Sequence, residues 1–227
     1  MATQQFDELN QRREFIEKWY SVMNIPEKDK KNRVDVALDY AEIMLLLFYM
    51  VTDQIKINQP ELEGMLRERL VVIAERELKT KNVAYINDWA DKTSKRIVEE
   101  TVRNYEEVIE KEDRKNLWHF EKYDVEIPED EYWTSPFRAT LLGIDTASTV
   151  VNYKELVDAI NEGKTRKTWM TEDDDKVRKT HDAVQGVDLP INELFLVGNS
   201  YLMMPGDTLN GAELSEIAGC RCHLVFH

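Results

Sequence analysis

The residues whose types and spacing suit metal binding lie in the last third of the chain: His181 in a charged segment, with Cys220 and Cys222 near the C-terminus. Thiolate and imidazole are ligands that zinc prefers in proteins. In an extended strand, residues two positions apart point to the same face, so we expect both thiols on one side and Arg221 and His223 on the other. One interpretation is therefore a structural zinc site formed by His181, Cys220 and Cys222.

The other interpretation of these three residues needs no metal. The fourth zinc ligand would have to be Asp174, His223 or water, and the Cys-x-Cys spacing is shorter than that of the usual zinc motifs. Free cysteines pack as small apolar side chains, and a buried histidine can pair with a carboxylate. Because no fourth ligand is evident, we expect a packed core and no cofactor, with structural zinc as the alternative. A disulfide between residues i and i+2 would span near the upper limit of Cα separation, so we expect free thiols.

A second set of polar residues has the spacing of one helix face. Asp174, Arg178 and His181 are four and three positions apart, so on a helix over residues 172–185 they share one stripe. A carboxylate, a guanidinium and an imidazole side by side could act in general acid-base chemistry. The chain has no Gly-rich phosphate loop, no His-Glu-x-x-His and no Gly-x-Ser-x-Gly. We therefore interpret the set as a network that fixes the helix to the C-terminal strand, and we assign no catalytic residue.

The elements that must position these residues follow from hydrophobic periodicity and helix boundary signals. The helix over 172–185 would begin after Thr171, carry acidic residues in its first turn and end at Gly186. Earlier in the chain, amphipathic helices are predicted over residues 1–23, 33–57 and 62–78, with one long helix or two joined helices over 83–120. Further short elements are helices over 138–148 and 154–161 and a final strand over 221–226.

An acidic segment with two prolines, residues 121–136, marks a change in composition and is the predicted domain boundary. The region before it is expected to be essentially all-α. The predicted fold class is α+β. An N-terminal all-α amphipathic helical region, residues 1–127, is followed by a small mixed α+β C-terminal module, residues 128–227.

Composition narrows the function classes. The formal net charge is -14, and the C-terminal module has only one short basic run, Lys164, Arg166 and Lys167. This composition disfavours sequence-independent binding of nucleic acid by the module. The longest apolar run, Ile43 to Val51, is much shorter than the roughly 20 residues of a membrane-spanning helix, so we predict a buried helix. The polar start predicts no secretory signal, and the two cysteines indicate synthesis in a reducing compartment.

The order of residues in the C-terminal module resembles the signature of the phage Mu F-like (SPP1-type) minor head, or head morphogenesis, protein family. The resemblance covers about residues 134–226 and is carried by K-x-W, D-x-x-V-R-x-x-H, a later Gly and Phe, P-G-D and C-R-C. These motif residues are Lys167, Trp169, Asp174, Val177, Arg178, His181, Gly186, Phe195, Pro205, Gly206, Asp207, Cys220, Arg221 and Cys222.

The resemblance implies a bacteriophage or prophage minor head protein that acts in capsid assembly at the portal vertex. Its expected partners are the portal protein and other head proteins, with contact to packaged DNA as a further expectation and no membrane partner. The expected location is the virion, in the head interior or at the portal vertex, after synthesis in the bacterial host cytoplasm. We expect no enzyme activity and a structural network of motif residues: Lys167, Trp169, Asp174, Arg178, His181, Pro205, Gly206, Asp207 and Arg221.

Four further expectations concern the alternative function, a turn, a core residue and the partner surface. The alternative function is a small nuclease or ADP-ribosyltransferase-like effector that uses Asp174, Arg178 and His181. Pro205 and Gly206 fit the central positions of a type II turn, and Trp169 is expected in the core. The helical region is the candidate partner surface, through whichever of four large side chains stays exposed: Trp19, Leu47, Phe48 or Trp89.

Overall fold

A computed structural model describes residues 9–53, 58–110, 117–120, 125–172 and 174–227. N-terminal helices are followed by a mixed region with small antiparallel sheets, which confirms the α+β class. The helices are α1 (Leu9–Ser21), α2 (Glu27–Asp53), α3 (Gln59–Leu78), α4 (Ala84–Glu110), α5 (Glu129–Tyr132), α6 (Pro136–Asn161), α7 (Lys179–Asp182) and α8 (Leu214–Ile217). The strands are β1 (Leu117–Phe120), β2 (Val125–Pro128), β3 (Arg166–Met170), β4 (Asp188–Pro190), β5 (Phe195–Val197), β6 (Ser200–Leu202) and β7 (His223–Phe226).

Helices α2 and α6 form the centre of the larger core. The apolar run in α2 places Met44, Leu47, Phe48 and Val51 in this core, as its composition predicted, whereas Leu46 and Tyr49 of the same run are exposed. Helix α6 contributes Ala139, Ile144, Ala147, Val150 and Val151 to the same cluster. The two helices approach closely at Gly143, where a Cβ atom would lie 2.5 Å from the carbonyl oxygen of Ala37. Glycine is therefore required by contact with the neighbouring backbone.

Buried polar groups tie the helical region to the C-terminal module. Arg33 of α2 is fully buried and its Nη2 donates to Asn152 Oδ1 at 2.8 Å and to Glu155 Oε1 at 2.8 Å, both on α6. The Asn152 side chain in turn donates to the carbonyl oxygen of Pro205 at 2.8 Å. Because buried polar groups need partners, this chain of contacts holds the turn at Pro205 against α6.

The C-terminal module contains a three-stranded antiparallel sheet in the order β4-β3-β7 and the hairpin β5-β6. In the register, Trp169 of β3 is opposite Leu224 of β7. Trp169 is fully buried, as predicted, and its ring meets Phe195 edge to face at 5.2 Å. This second core holds β3 and β7 in place, and with them the segment that carries the cysteines.

Two predictions about secondary structure before residue 162 were wrong. Residues 1–120 are not all-α, because Leu117–Phe120 forms β1, which pairs with β2 as an antiparallel ribbon. The aromatic and β-branched residues of this ribbon suit a strand. The two short helices over 138–148 and 154–161 are one continuous helix, α6. Val150 and Val151 have low helix propensity, but their burial against α2 outweighs it.

Before residue 111, the other predicted helices agree with the described residues in type and shift in their ends. Helix α2 begins at Glu27, earlier than residue 33, and α4 ends at Glu110. Parts of the predicted helices over 1–23, 33–57 and 83–120 fall outside the described residues. The domain division at residue 127 stays a prediction, and α6, which follows it, packs into the helical core.

None of the side chains predicted to form a partner surface is exposed. All four large side chains considered for it are buried: Trp19, Leu47, Phe48 and Trp89. The exposed apolar side chains of α2 are instead Leu46 and Tyr49, the latter 64% exposed. Among the helices that the structure describes, none has both the length and the apolar character needed to cross a membrane.

Candidate functional site

The structure brings His181, Cys220 and Cys222 together in a buried cluster. Helix α7 positions His181, and the segment just before β7 positions the cysteines. His181 Nδ1 lies 3.3 Å from Cys222 Sγ and 3.5 Å from Cys220 Sγ. All three side chains are buried, both thiols are free, and the three candidate ligand atoms lie within 4.8 Å of one another.

The opposite side of the His181 ring faces a carboxylate. Nε2 lies 3.2 Å from Glu216 Oε2, a distance at which a protonated ring and the carboxylate attract each other. The same oxygen accepts a hydrogen bond from Thr180 Oγ1 at 2.7 Å. The Trp169 ring packs edge to face on His181 at 5.7 Å. The ring is therefore held between an indole, a carboxylate and two sulfur atoms, which fixes its orientation.

The protonation of the cluster is uneven. A hydrogen bond from Cys222, together with the nearby His181, holds the pKa of the Cys220 thiol well below its usual range despite burial. The same contact with Cys220, with burial, raises the pKa of Cys222. Burial lowers the pKa of His181, but the contact with Cys220 more than offsets this and the net direction is upward. These directions favour negative charge on Cys220 over Cys222 and positive charge on the His181 ring.

The predicted helix over 172–185 was wrong, and with it the shared stripe of Asp174, Arg178 and His181. Only Lys179–Asp182 is helical, and Asp173 lies outside the described residues. Asp174 Oδ1 instead accepts from the backbone N–H of Lys176 at 3.0 Å, a local turn that competes with helix formation. Arg178 donates to the carbonyl oxygen of Ala218.

The carboxylate of Asp174 pairs with Arg221 across the module. Arg221 Nη1 and Nη2 each donate to one carboxylate oxygen at 2.7 Å, a bidentate geometry. This contact holds the pKa of Asp174 below its usual range. On the same side of the segment, His223 Nδ1 lies 3.4 Å from Glu172 Oε1. The two thiols and the two basic residues, Arg221 and His223, therefore face different neighbours, as the alternation predicted.

The turn at Pro205 and Gly206 has the predicted type II form. Gly206 has a φ of 80° and the backbone N–H of Asp207 donates to the carbonyl oxygen of Met204 at 3.1 Å. Gly206 also lies against α6, where Thr149 Oγ1 donates to its carbonyl oxygen at 2.8 Å. A positive φ and a tight approach to the helix both favour glycine here.

Asp207 is fully buried and its carboxylate organises this turn. It accepts four hydrogen bonds. They come from the backbone N–H of Met203 at 2.8 Å, the backbone N–H of Leu209 at 3.0 Å, Asn210 Nδ2 at 2.8 Å and the Tyr85 hydroxyl at 3.0 Å. Tyr85 is on α4, so the carboxylate joins the turn to the helical region.

Lys167 extends the same arrangement from β3. Its Nζ donates to the carbonyl oxygen of Met203 at 2.6 Å and lies 5.2 Å from the centre of the Phe195 ring. The residue is fully buried, and burial lowers the pKa of the ammonium group to about 8, although the nearby Asp207 opposes the shift. Lys167, the turn and Asp207 therefore form one connected polar unit.

This lowered pKa predicts a pH-dependent stability. Between about pH 8 and the ordinary lysine value of 10.5, the unfolded chain holds a proton that the native chain has released, so native stability rises with pH. We expect the free energy of unfolding of the native chain, relative to Lys167→Met, to rise by roughly 3 kcal/mol across this window. Urea unfolding at several pH values under reducing conditions measures it. A difference that stays constant with pH would contradict the shift.

Several residues that contact the candidate site belong to no recognisable sequence motif. Glu216 and Glu172 lie in ordinary acidic segments, and Tyr85 and Asn152 lie on helix faces far along the chain from the turn. Each meets its partner only through tertiary packing. Spacing along the chain identified the motif residues but not these partners.

A separate cleft of about 440 Å³ lies between α4, α6 and the segment before β7. Arg96, Arg138 and Arg178 line it, with Glu100 and Asp145. Glu100 Oε2 lies 3.7 Å from Arg96 Nη1 and 3.6 Å from Arg138 Nη2, so part of the positive charge is neutralised. Burial raises the pKa of Asp145 to about 6.

Comparison of the chain with protein-family models, with curated proteins and with solved structures gave no match.

Proposed function

We propose that this chain is a minor head protein of a tailed bacteriophage or prophage that acts in capsid assembly at the portal vertex. The observation that supports the proposal most strongly is the burial of the motif residues and the contacts that they make. Most are buried, including Lys167, Trp169, His181 and Asp207. Lys167 donates to the carbonyl oxygen of Met203, His181 contacts both cysteines, and Asp207 accepts from Tyr85 of the helical region. Their shared role is to hold a compact module together, which suits a structural part of a larger assembly.

The contacts of the polar motif residues support the same conclusion. The Asp207 carboxylate accepts hydrogen bonds from four donors. Both oxygens of the Asp174 carboxylate accept hydrogen bonds from the guanidinium of Arg221. Groups with this many fixed partners are poorly placed to exchange protons with a substrate. The proposal therefore assigns the module a structural role and no catalytic residue.

The nuclease or transferase alternative has less support in the geometry. It needs Asp174, Arg178 and His181 to act together, but each has a different principal partner: Arg221, the Ala218 carbonyl and the cysteine pair. Assays for DNA cleavage and for transfer from NAD test it directly. Turnover that His181→Ala abolishes in a folded protein would favour this alternative.

Co-expression with the portal protein of the same phage or prophage tests the proposed function. We expect a complex of defined stoichiometry in native mass spectrometry, because a portal-associated head protein must bind at that vertex. The portal protein of an unrelated phage is the control and should give no complex. If the matched portal protein at micromolar concentration also gives none, the portal-vertex role is contradicted. Binding to DNA that weakens steeply with salt would support the expected contact with packaged DNA.

A further inference from the structure

We propose that His181, Cys220 and Cys222 bind one zinc ion, with a water molecule as the fourth ligand. The proposal rests on the geometry of the cluster and is independent of the function proposed above. It reverses our expectation of a metal-free core, because the structure supplies two features that spacing alone could not. These are a second group of residues that orients the histidine and a cavity at the open side of the cluster.

Two of the three separations between the donor atoms are close to those of a tetrahedral zinc site, and all three atoms lie within 4.8 Å of one another. With Zn–N near 2.0 Å and Zn–S near 2.3 Å, adjacent N and S ligands are about 3.5 Å apart in a tetrahedron. The distances from His181 Nδ1 are 3.3 Å to Cys222 Sγ and 3.5 Å to Cys220 Sγ. Small outward movements of the side chains admit the ion. As zinc binds, two thiolates offset its charge, and the thiol proton and the Nδ1 proton of a protonated His181 ring are released to solvent.

The outer contacts of His181 suit a metal ligand. A histidine that binds zinc through one ring nitrogen commonly donates the other N–H to a carboxylate, which fixes the tautomer. His181 presents Nδ1 to the sulfur atoms and Nε2 to Glu216 Oε2, 3.2 Å away. Glu216 is itself buried and held by Thr180 Oγ1 at 2.7 Å. A proton on Nε2 leaves the Nδ1 lone pair directed at the ion.

The fourth position is assigned to water because the protein candidates have other partners. Asp174 is occupied by the bidentate contact with Arg221, and His223 Nδ1 faces Glu172. A cavity of about 20 Å³ borders the cluster and is lined by His181 and both cysteines, among other residues. That volume is enough for one water molecule.

The ion would connect parts of the module that are distant along the chain. His181 is on α7, and the cysteines directly precede β7, which is the edge partner of β3. Zinc would close this long loop at its base and hold the segment from β4 to α8 between the two attachment points. We therefore assign the site a structural role in the C-terminal module.

Cobalt substitution and native mass spectrometry of the full chain test the site. The probes are Zn²⁺ and Co²⁺ alone, added to chelator-treated, reduced protein. We expect one zinc ion per chain and, with Co²⁺, the near-ultraviolet thiolate-to-metal charge-transfer band and the visible bands of tetrahedral coordination. Because both readouts use the native chain, they do not depend on a variant that folds.

Variants then identify the ligands. We expect the double substitution Cys220→Ser and Cys222→Ser to remove the charge-transfer band, and Glu216→Gln to weaken zinc affinity by roughly 10- to 100-fold. His223→Gln, a neighbouring histidine outside the ligand set, is the matched control and should keep one zinc ion. A native chain that binds no zinc and shows no cobalt band would overturn the proposal. So would a band that persists in the double variant, or loss of zinc in His223→Gln.

Discussion

Gly143→Ala is expected to destabilise the fold by about 3 kcal/mol, although alanine is the better helix former. A Cβ atom at this position would lie 2.5 Å from Ala37 O, 2.8 Å from Ala41 N and 2.9 Å from Ala41 Cβ. Two of these atoms are backbone, so no side-chain rotation relieves the contact. Helices α2 and α6 must move apart across the centre of the larger core, and overpacking of this kind costs about 1 to 3 kcal/mol or more.

Gly64→Ala is the matched control for this measurement. Gly64 is inside α3, is exposed, and has nothing within 4 Å of the position that a Cβ atom would take. The same chemical change should therefore stabilise the chain by about 0.5 to 1 kcal/mol through helix propensity alone. Urea unfolding of both variants compares the two effects. Equal stabilisation by both substitutions would show that α2 and α6 are not packed this closely.

Asp207→Ala is the second substitution with a large expected effect, about 4 kcal/mol of lost stability. Four donors converge on the carboxylate, and two of them are backbone N–H groups of Met203 and Leu209. Alanine leaves these groups without their acceptor, and each buried donor left unpaired costs about 1 to 3 kcal/mol. The loss also affects both parts of the chain, because Tyr85 reaches the carboxylate from α4.

Asp188→Ala separates this effect from the general cost of removing an aspartate. Asp188 pairs with a basic residue, Arg166, and its side chain is 39% exposed. Surface ion pairs contribute little, so we expect a change of no more than about 1 kcal/mol. Thermal and chemical unfolding of the two variants compares their losses of stability. Similar small losses in both would mean that the Asp207 carboxylate does not organise the turn.

Part of the candidate site could be predicted because some of its geometry depends only on residues close together in the chain. Residues two apart in an extended segment share a face, and this placed the thiols of Cys220 and Cys222 on one side. Proline followed by glycine specifies a type II turn, which the structure has at Pro205. The helix over 172–185 failed because its local signals, an N-cap and acidic residues, competed with a stronger distant partner. Asp174 pairs with Arg221, 47 positions away.

The sequence by itself determined the α+β class, the burial of one face of the apolar run in α2, the burial of Trp169 and the geometry of the Pro205 turn. Each follows from periodicity, apolar character or backbone preference over a few neighbouring residues. Only the tertiary structure decided that Glu216 faces His181, that Tyr85 reaches Asp207 and that α6 is continuous. These contacts join residues far apart in the chain, and their energy depends on burial and approach distance. Neither quantity can be read from spacing along the chain.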